Sequence, residues 1–502
     1  MNHTLRRLGP LLLALALPVA ARATVYVPTI TSDTAHGSCG ASCSLRDAID
    51  AANQHPGEDV ILLHAGTYTL AGTPPATGSL EIDGSLTLIG DGAASTIIDG
   101  GGVGGIFYVP GGAAATIQGV TLRNGRSPGA GGAARNNGSL TLQRTVLTGN
   151  SSVAGSAGAG FGGAILTDGI DSSLTLTDST VSANSAQGGG GGIAIGGAFV
   201  LANVTLSGNS STQDFGGGIY FFSDAKGTAN NLTVSRNSAA LKGGGAFIET
   251  SAFIGIAPKI TNSILAGNTA SSEPDCSGAF SSGYDLIGNA GSAATGCIGP
   301  AAAKHDVVGT PAAPIDPKLA LPANNGGPTP TSALLTGSPA LDAGNPAAPG
   351  SGNGACEATD QRGTPRPGGA RCDVGAFEAT TACVAGGANL CLSSNRFRVA
   401  ATFQAPNNGP SGNAQGVTLT PDSGYFWFFD PGNVELTVKV LNGCAINNHY
   451  WVYAAGLTNV NVVLTVTDTQ TGAIKTYVNP QGKTYVTILD GNAFATCPYV
   501  GG

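Results

Sequence analysis

"LTLTDSTVSANSA", residues 174–186, is the stretch that decides the fold. Two short runs alternate apolar with polar residues, a kink falls near Asp178, and an Ala183-Asn184 pair closes the unit. A period of two over four to six β-branched residues is the pattern of a half-buried strand. The same frame returns in "LTLQRTVLTGNSS" at Leu140, "FVLANVTLSGNSS" at Phe199, "TANNLTVSRNSA" at Thr228 and "PKITNSILAGNTA" at Pro258. "ATIQGVTLRNG" at Ala115 is a looser copy. The spacing between successive closing Asn residues runs from 25 (Asn184 to Asn209) to 34 (Asn150 to Asn184), and the slack falls in Gly/Ser-rich stretches. A constant motif with variable loops is a coil stacked on itself. No helical pattern is interleaved, which disfavours leucine-rich and helical repeats, and propeller blades need longer strands. A parallel β-helix with three short strands per coil fits best.

Two columns of residues follow from that geometry. Asn124, Asn150, Asn184, Asn209, Asn237 and Asn268 close successive units. Asn tolerates a left-handed corner, and stacked Asn side chains form amide ladders. Gly pairs precede several units, in "FGGAI" at Phe161, "GGIAI" at Gly191, "GGGIY" at Gly216 and "GGGAF" at Gly243. They mark a corner where a Cβ would clash. A calcium-binding glycine-rich roll needs an Asp after its glycines, and these runs lack it.

The solenoid needs a lid, because an open first coil exposes core and strand edges. "CSLRDAIDAANQHPG", residues 43–57, supplies one. Ser44 with Asp47 makes a capping box. Leu45, Ala48, Ile49 and Ala52 share one helical face, and Pro56-Gly57 stops the helix. Arg46, Asp47 and Asp50 then face solvent or tie the lid down, rather than forming a catalytic cluster.

These stretches resemble a family of secreted bacterial β-helix proteins. "CSLRDA" is similar to the CSLREA signature, with Asp47 in the place of its Glu. The GGA[IV] pairs and x-x-N endings resemble polymorphic outer-membrane protein repeats. "PDCSGAFSSGYDLIGN" at Pro274 also resembles a segment of this group. "DPKLALPANNGGPTPTSALLTGSPALDAGN" at Asp316 and "TDQRGTPRPGGARCDVGAFE" at Thr359 resemble the choice-of-anchor Q region. The resemblance spans most of residues 36–378. It implies a right-handed, pectin-lyase-like parallel β-helix and no shared activity.

The first residues read as an export signal. Arg6 and Arg7 precede an apolar run from Leu8 to Ala20, and Ala21-Arg22-Ala23 has the small-x-small form of a cleavage site, which puts the mature start near Thr24. That run is short and interrupted by Pro10 and Pro18, so it is not expected to remain as a membrane span. Removing residues 1–23 removes three Arg and no acid, taking the net charge from -8 to -11. With 10% charged residues the bias is weakly acidic, which argues against a nucleic-acid partner. The ten cysteines fall into couples: Cys39 with Cys43, Cys276 with Cys297, Cys356 with Cys372, Cys383 with Cys391, and Cys444 with Cys497 across the last domain. Export permits disulfides, and zinc would want a tight C-x-x-C or clustered His, neither of which exists.

After Glu378 longer alternating runs appear, including "RFRVAATFQA", "GYFWFFD" and "VELTVKVL", with "TQTG" (469–472) as a hairpin turn. They predict an antiparallel β-sandwich over residues 383–498. Its run Tyr425 to Phe429 must divide between two faces. One row fills the core. The other, either Tyr425, Trp427 and Phe429 or Phe426 and Phe428, packs under a loop or receives a sugar or peptide.

Catalysis has little to stand on. Glycoside hydrolysis wants convergent carboxylates, and a lyase wants acids holding calcium beside a base. Asp168, Asp171, Asp178, Asp214, Asp224 and Glu249 are scattered, and Arg144 and Asn203 flank Asp178 at equivalent positions. The expected organisation is therefore an all-β chain: signal peptide 1–23, cap 24–57, parallel β-helix 58–300, choice-of-anchor Q-like end of the solenoid 301–378, and sandwich 379–502. The expected function is a non-enzymatic, adhesin-like binding or structural protein, extracellular or on the outer envelope. No catalytic residue, cofactor or metal is expected, and a glycan or cell-surface protein is the expected class of partner. The alternative is a polysaccharide lyase or glycoside hydrolase on the same scaffold.

Overall fold

The computed structural model describes residues 23–497 except 72–78, 156–157, 170, 250–257, 279–282, 292–296, 298–304, 336, 380–382, 384, 408 and 470–472. Of the expected signal peptide 1–23, residues 1–22 lie outside the described residues, as does most of the "TQTG" turn.

Strands Ser139–Gln143, Ser173–Ser182, Ala198–Ser207 and Lys226–Ser235 run parallel in a long sheet of 16 strands. Parallel sheets of eight and five strands make the other two walls. Register stacks like on like: Leu142, Leu176, Leu201 and Ala229 in one inward column, Leu147, Val181, Leu206 and Val234 in another. All are buried in one core that continues from the cap to Cys297. Burying each such side chain contributes about 1.5–3 kcal/mol, so the repeat motif and the stability have the same source.

Each coil turns on residues with positive φ. At the kink these are Gly119, Arg144, Asp178, Asn203, Asn231 and Asn262. At the Gly corner they are Gly131, Gly162, Gly190, Gly216 and Gly243. A Cβ on the next residue, Gly217, would sit 2.2 Å from the Ser238 carbonyl oxygen, so that corner admits no side chain. At the Asn corner the outcome differs from expectation. The left-handed residue is the one before the Asn: Gly149, Ala183, Gly208, Arg236 and Gly267. The Asn itself is freed to point inward and bond. Only in the first unit does an Asn, Asn124, take the left-handed position, and there Gly125 occupies the place of the ladder Asn.

The lid is a helix, Leu45–Gln54, with the Ser44–Asp47 capping box formed. Its apolar face, Leu45, Ala48, Ile49 and Ala52, joins the solenoid core. Arg46 grips Asp33 through two bonds of 2.8 and 2.9 Å, and Asp47 receives the His36 backbone and ring nitrogens at 2.6 and 2.9 Å. Burial opposes ionisation of Asp47, yet the bonds from His36 and Ser44 hold its pKa at about 2. Arg46 and Asp47 are tie points, and Asp50 is half-buried beside them.

Val307–Val308 adds the last strand of the long sheet. From Asp316 the chain then turns back along the flank of the coils instead of extending their axis. The kink column is its rail. Asn262 Oδ1 accepts from Asn345 N, Asn231 Oδ1 accepts from Glu357 N, and Asn203 Nδ2 donates to the Thr359 carbonyl, each at 2.9 Å. Gln361 is fully buried between Thr180 at 2.9 Å and Thr205 at 2.6 Å. The ion pairs Arg366–Glu378 and Arg362–Asp360 brace the strap from within.

The C-terminal part is two antiparallel five-stranded sheets with a shared core that includes Phe397, Phe426, Val438, Val452 and Leu464. All five cysteine couples are disulfides: Cys39–Cys43, Cys276–Cys297, Cys356–Cys372, Cys383–Cys391 and Cys444–Cys497.

Candidate binding surface

The strand Ser423–Trp427 decides which aromatic row is available. Phe426 points into the sandwich core and is fully buried. Tyr425 and Trp427 point to the other side and stay partly exposed. The strand ends at Trp427, so alternation does not carry to Phe429. Phe428 is buried. Phe429 is 49% exposed beyond the strand end, with its ring edge-on to Phe403 at 5.1 Å. The expected row of three is therefore a pair.

The neighbouring strands enlarge that face. Order runs Gln415–Thr420, Ser423–Trp427, Leu436–Asn442, Tyr450–Gly456, Ile488–Phe494. Cross-strand registers place Val417, Tyr425, Thr437 and Ala455 in one outward row, and Ser423, Lys439, Tyr453 and Leu489 in the next. A shallow depression of about 270 Å³ lies here, lined by Leu419, Thr437, Lys439, Tyr453 and Leu489 among others. Leu419 is 62% and Leu489 74% exposed. Aliphatic side chains left this open on a mixed aromatic and hydroxyl surface are what a contact surface offers.

Local chemistry holds the rings in place. Trp451 donates its indole N–H to Asn447 Oδ1 at 2.8 Å. It lies flat on Gly443, where a Cβ would come within 2.2 Å of the ring. Its ring centroid is 6.2 Å from that of Tyr453. The strand carrying both is anchored by Arg396, whose buried guanidinium pairs with Asp468 at 2.7 Å and donates to the Tyr450 hydroxyl at 2.9 Å. From the opposite sheet, Tyr477 donates to Asp490 at 2.8 Å. Burial and the Asp490 charge push the Tyr477 phenol far above its ordinary value, so it stays a donor.

A second aromatic surface, unread in the sequence, lies outside the solenoid core. Phe161, Phe215, Tyr220, Phe222 and Phe247 contact one another at centroid distances of 4.4–5.4 Å. Tyr220 and Phe247 are the outward middle residues of two stacked three-residue strands. A Cβ on Gly189 would approach Tyr220 to 2.4 Å, so that glycine clears the space for its ring. Asp214 and Glu249 lie near enough to raise the Tyr220 pKa along with burial.

The six acids singled out in the sequence are spread along the solenoid, and Glu357 and Asp360 of the returning segment stand near enough to Asp178 to raise its pKa beyond the effect of burial. Asp168 and Asp171 are exposed. Asp178 is bonded to Asn203 at 3.2 Å, and burial raises its pKa. Burial likewise raises Asp214. Asp224 lies beside Gly196, and Glu249 accepts from Ser223 N at 3.3 Å. Among the described residues no group of three His, Cys, Asp or Glu is placed to hold a metal.

No family model matches the chain, and no curated protein matches it. A solved structure, described as a crystal structure of pectate lyase Pel9A, is similar at a TM-score of 0.36 and 14% identity, with 72% of this chain and 97% of that one covered.

Proposed function

We propose that this is an exported, non-enzymatic binding protein that presents a glycan-binding sandwich on a rigid solenoid. The observation that carries the reading is the outward face around Tyr453: Tyr425 and Tyr453 stand in adjacent rows with Thr437 and Lys439 between them, Trp451 lies beside Tyr453, and Trp427 extends the face along the strand of Tyr425. Flat rings receive the C–H faces of sugar rings, and the interspersed hydroxyl and ammonium groups bond sugar oxygens. A shallow, open site suits a chain end or branch held without enclosure. The dispersed acids support binding over cleavage, since hydrolysis and elimination each need groups converging on one bond. Five disulfides support an oxidising compartment outside the cytoplasm.

A glycan array with the purified protein tests this reading. Specific retention with no released product or new chain end supports it. Turnover of any glycan abolished by Asp178→Ala or Asp214→Ala would replace it with an enzyme.

A further inference from the structure

The first described residues meet the start of the solenoid at an incomplete site. Thr24 lies opposite Asp59: the Val60 amide donates to the Thr24 carbonyl at 2.9 Å, and Val25 pairs with Val60 in parallel. The sheet therefore holds Thr24 in place. Its own backbone nitrogen donates to Asp59 Oδ1 at 2.8 Å. His55, at the end of the cap helix, bonds the same oxygen through Nδ1 at 3.0 Å, and its Nε2 lies 3.2 Å from Thr24 Oγ1.

Asp59 is 1% exposed, and its second oxygen, Oδ2, is buried with no hydrogen-bond partner. A buried carboxylate with one oxygen unserved is costly, because nothing replaces the lost water. Independently, the sequence places export cleavage between Ala23 and Thr24. That hydrolysis consumes one water, leaves a carboxylate on Ala23, and turns the Thr24 amide nitrogen into an amine that takes a proton near neutral pH. The nitrogen already beside Asp59 then carries a positive charge and three donors instead of one.

We propose that cleavage at Ala23–Thr24 completes this site: Asp59 and His55 bind the protein's own α-ammonium group, and the ion pair locks the capped end of the solenoid. The inference rests on the export reading for the cut but on the geometry for the binding. The hydroxyl–imidazole–carboxylate spacing is also that of an activated nucleophile. The sheet-held backbone nitrogen and the unserved buried Oδ2 assign the arrangement to holding the terminus.

Two forms of the signal-free protein test it. In one, removal of an N-terminal tag leaves Thr24 first. In the other a single Gly precedes Thr24. The Thr24-first form is expected to melt several degrees higher and to show slower hydrogen exchange over Leu45–Gln54. Its α-amine should react about tenfold more slowly with an acylating reagent, as a raised pKa lowers the free-amine fraction. Acetylating Thr24, or Asp59→Asn, should erase these differences. Equal melting and ordinary amine reactivity in the Thr24-first form would overturn the proposal. N-terminal sequencing of the exported protein is a separate check: a start other than Thr24 overturns the proposed cleavage, while the paired forms still decide the binding.

Discussion

Asn268 Nδ2 donates to Asp275 Oδ1 at 2.8 Å, and there a run of side-chain amides ends on a carboxylate. Upstream, Asn150, Asn184, Asn209 and Asn237 each donate Nδ2 to the Oδ1 of the next member at 2.9 or 3.0 Å. Each backbone N–H bonds that same oxygen, from Asn150 at 2.9 Å to Asn268 at 2.8 Å. Asn124 stands outside the column and bonds Asp99 instead. The second Nδ2 hydrogen of each amide returns to a backbone carbonyl one coil back, from Leu122 for Asn150 to Val234 for Asn268, while the side-chain to side-chain bonds run toward Asp275, whose carboxylate accepts the last of them.

Asn209→Ala should therefore cost more than its own bonds. It leaves the Asn184 side-chain and backbone donors buried and unserved, at about 1–3 kcal/mol each. Hydrogen exchange should accelerate in the coils on both sides of 209. Asn124→Ala should have a smaller effect.

The buried acids give the stability a pH slope. Burial raises Asp275 to about 6 and Asp373 to about 7. The folded state then holds protons that the unfolded state releases above about 4. These two groups favour folding most in acid, and their contribution falls as pH rises from about 4 to 7. Asp47, held near 2, acts in the opposite direction: its contribution is present above about 4 and is lost as pH falls toward 2. Melting temperature should rise from pH 8 to pH 5, and Asp275→Ala should flatten the slope.

Glycines should divide cleanly by the space around them. Gly217→Ala forces a Cβ onto the Ser238 carbonyl and should abolish folding of that coil. Gly491→Ala meets nothing within 4 Å and should leave the melting temperature nearly unchanged. Circular dichroism on both variants gives the comparison.

The strap should behave as part of the solenoid. Gln361→Ala removes its bonds to Thr180, Thr205 and Thr329. It should destabilise the protein by about 2–4 kcal/mol, because the partner hydroxyls stay buried. Limited proteolysis should then open the chain between residues 316 and 378 before it cuts the coils.

Much of this was legible because it repeats or is local. Six copies of one motif pointed to parallel stacking, and Ser44 with Asp47 marked the start of the cap helix. Neighbouring couples matched the disulfides. What escaped depends on distance. Nothing near Asn203 or Asn231 announces a segment more than a hundred residues later resting on them. Phe215, Tyr220 and Phe222 come from one coil, and Phe161 and Phe247 join them from coils on either side, so stacking completes the group. The left-handed residue before each Asn was hidden because Gly, Ala and Arg share that place, and no single residue type marked it. In the sandwich, alternation sorted Tyr425 and Trp427 from Phe426, but failed at Phe429 once the strand had ended.

The most direct test of the account is titration calorimetry with a glycan retained on the array, using wild type, Trp427→Ala, Tyr453→Ala and Phe247→Ala of matched stability. The predicted result is a loss of affinity of tenfold or more, about 1.4 kcal/mol, for the first two variants and wild-type affinity for Phe247→Ala. Unchanged affinity in both sandwich variants, or release of cleaved sugar during the titration, would contradict it.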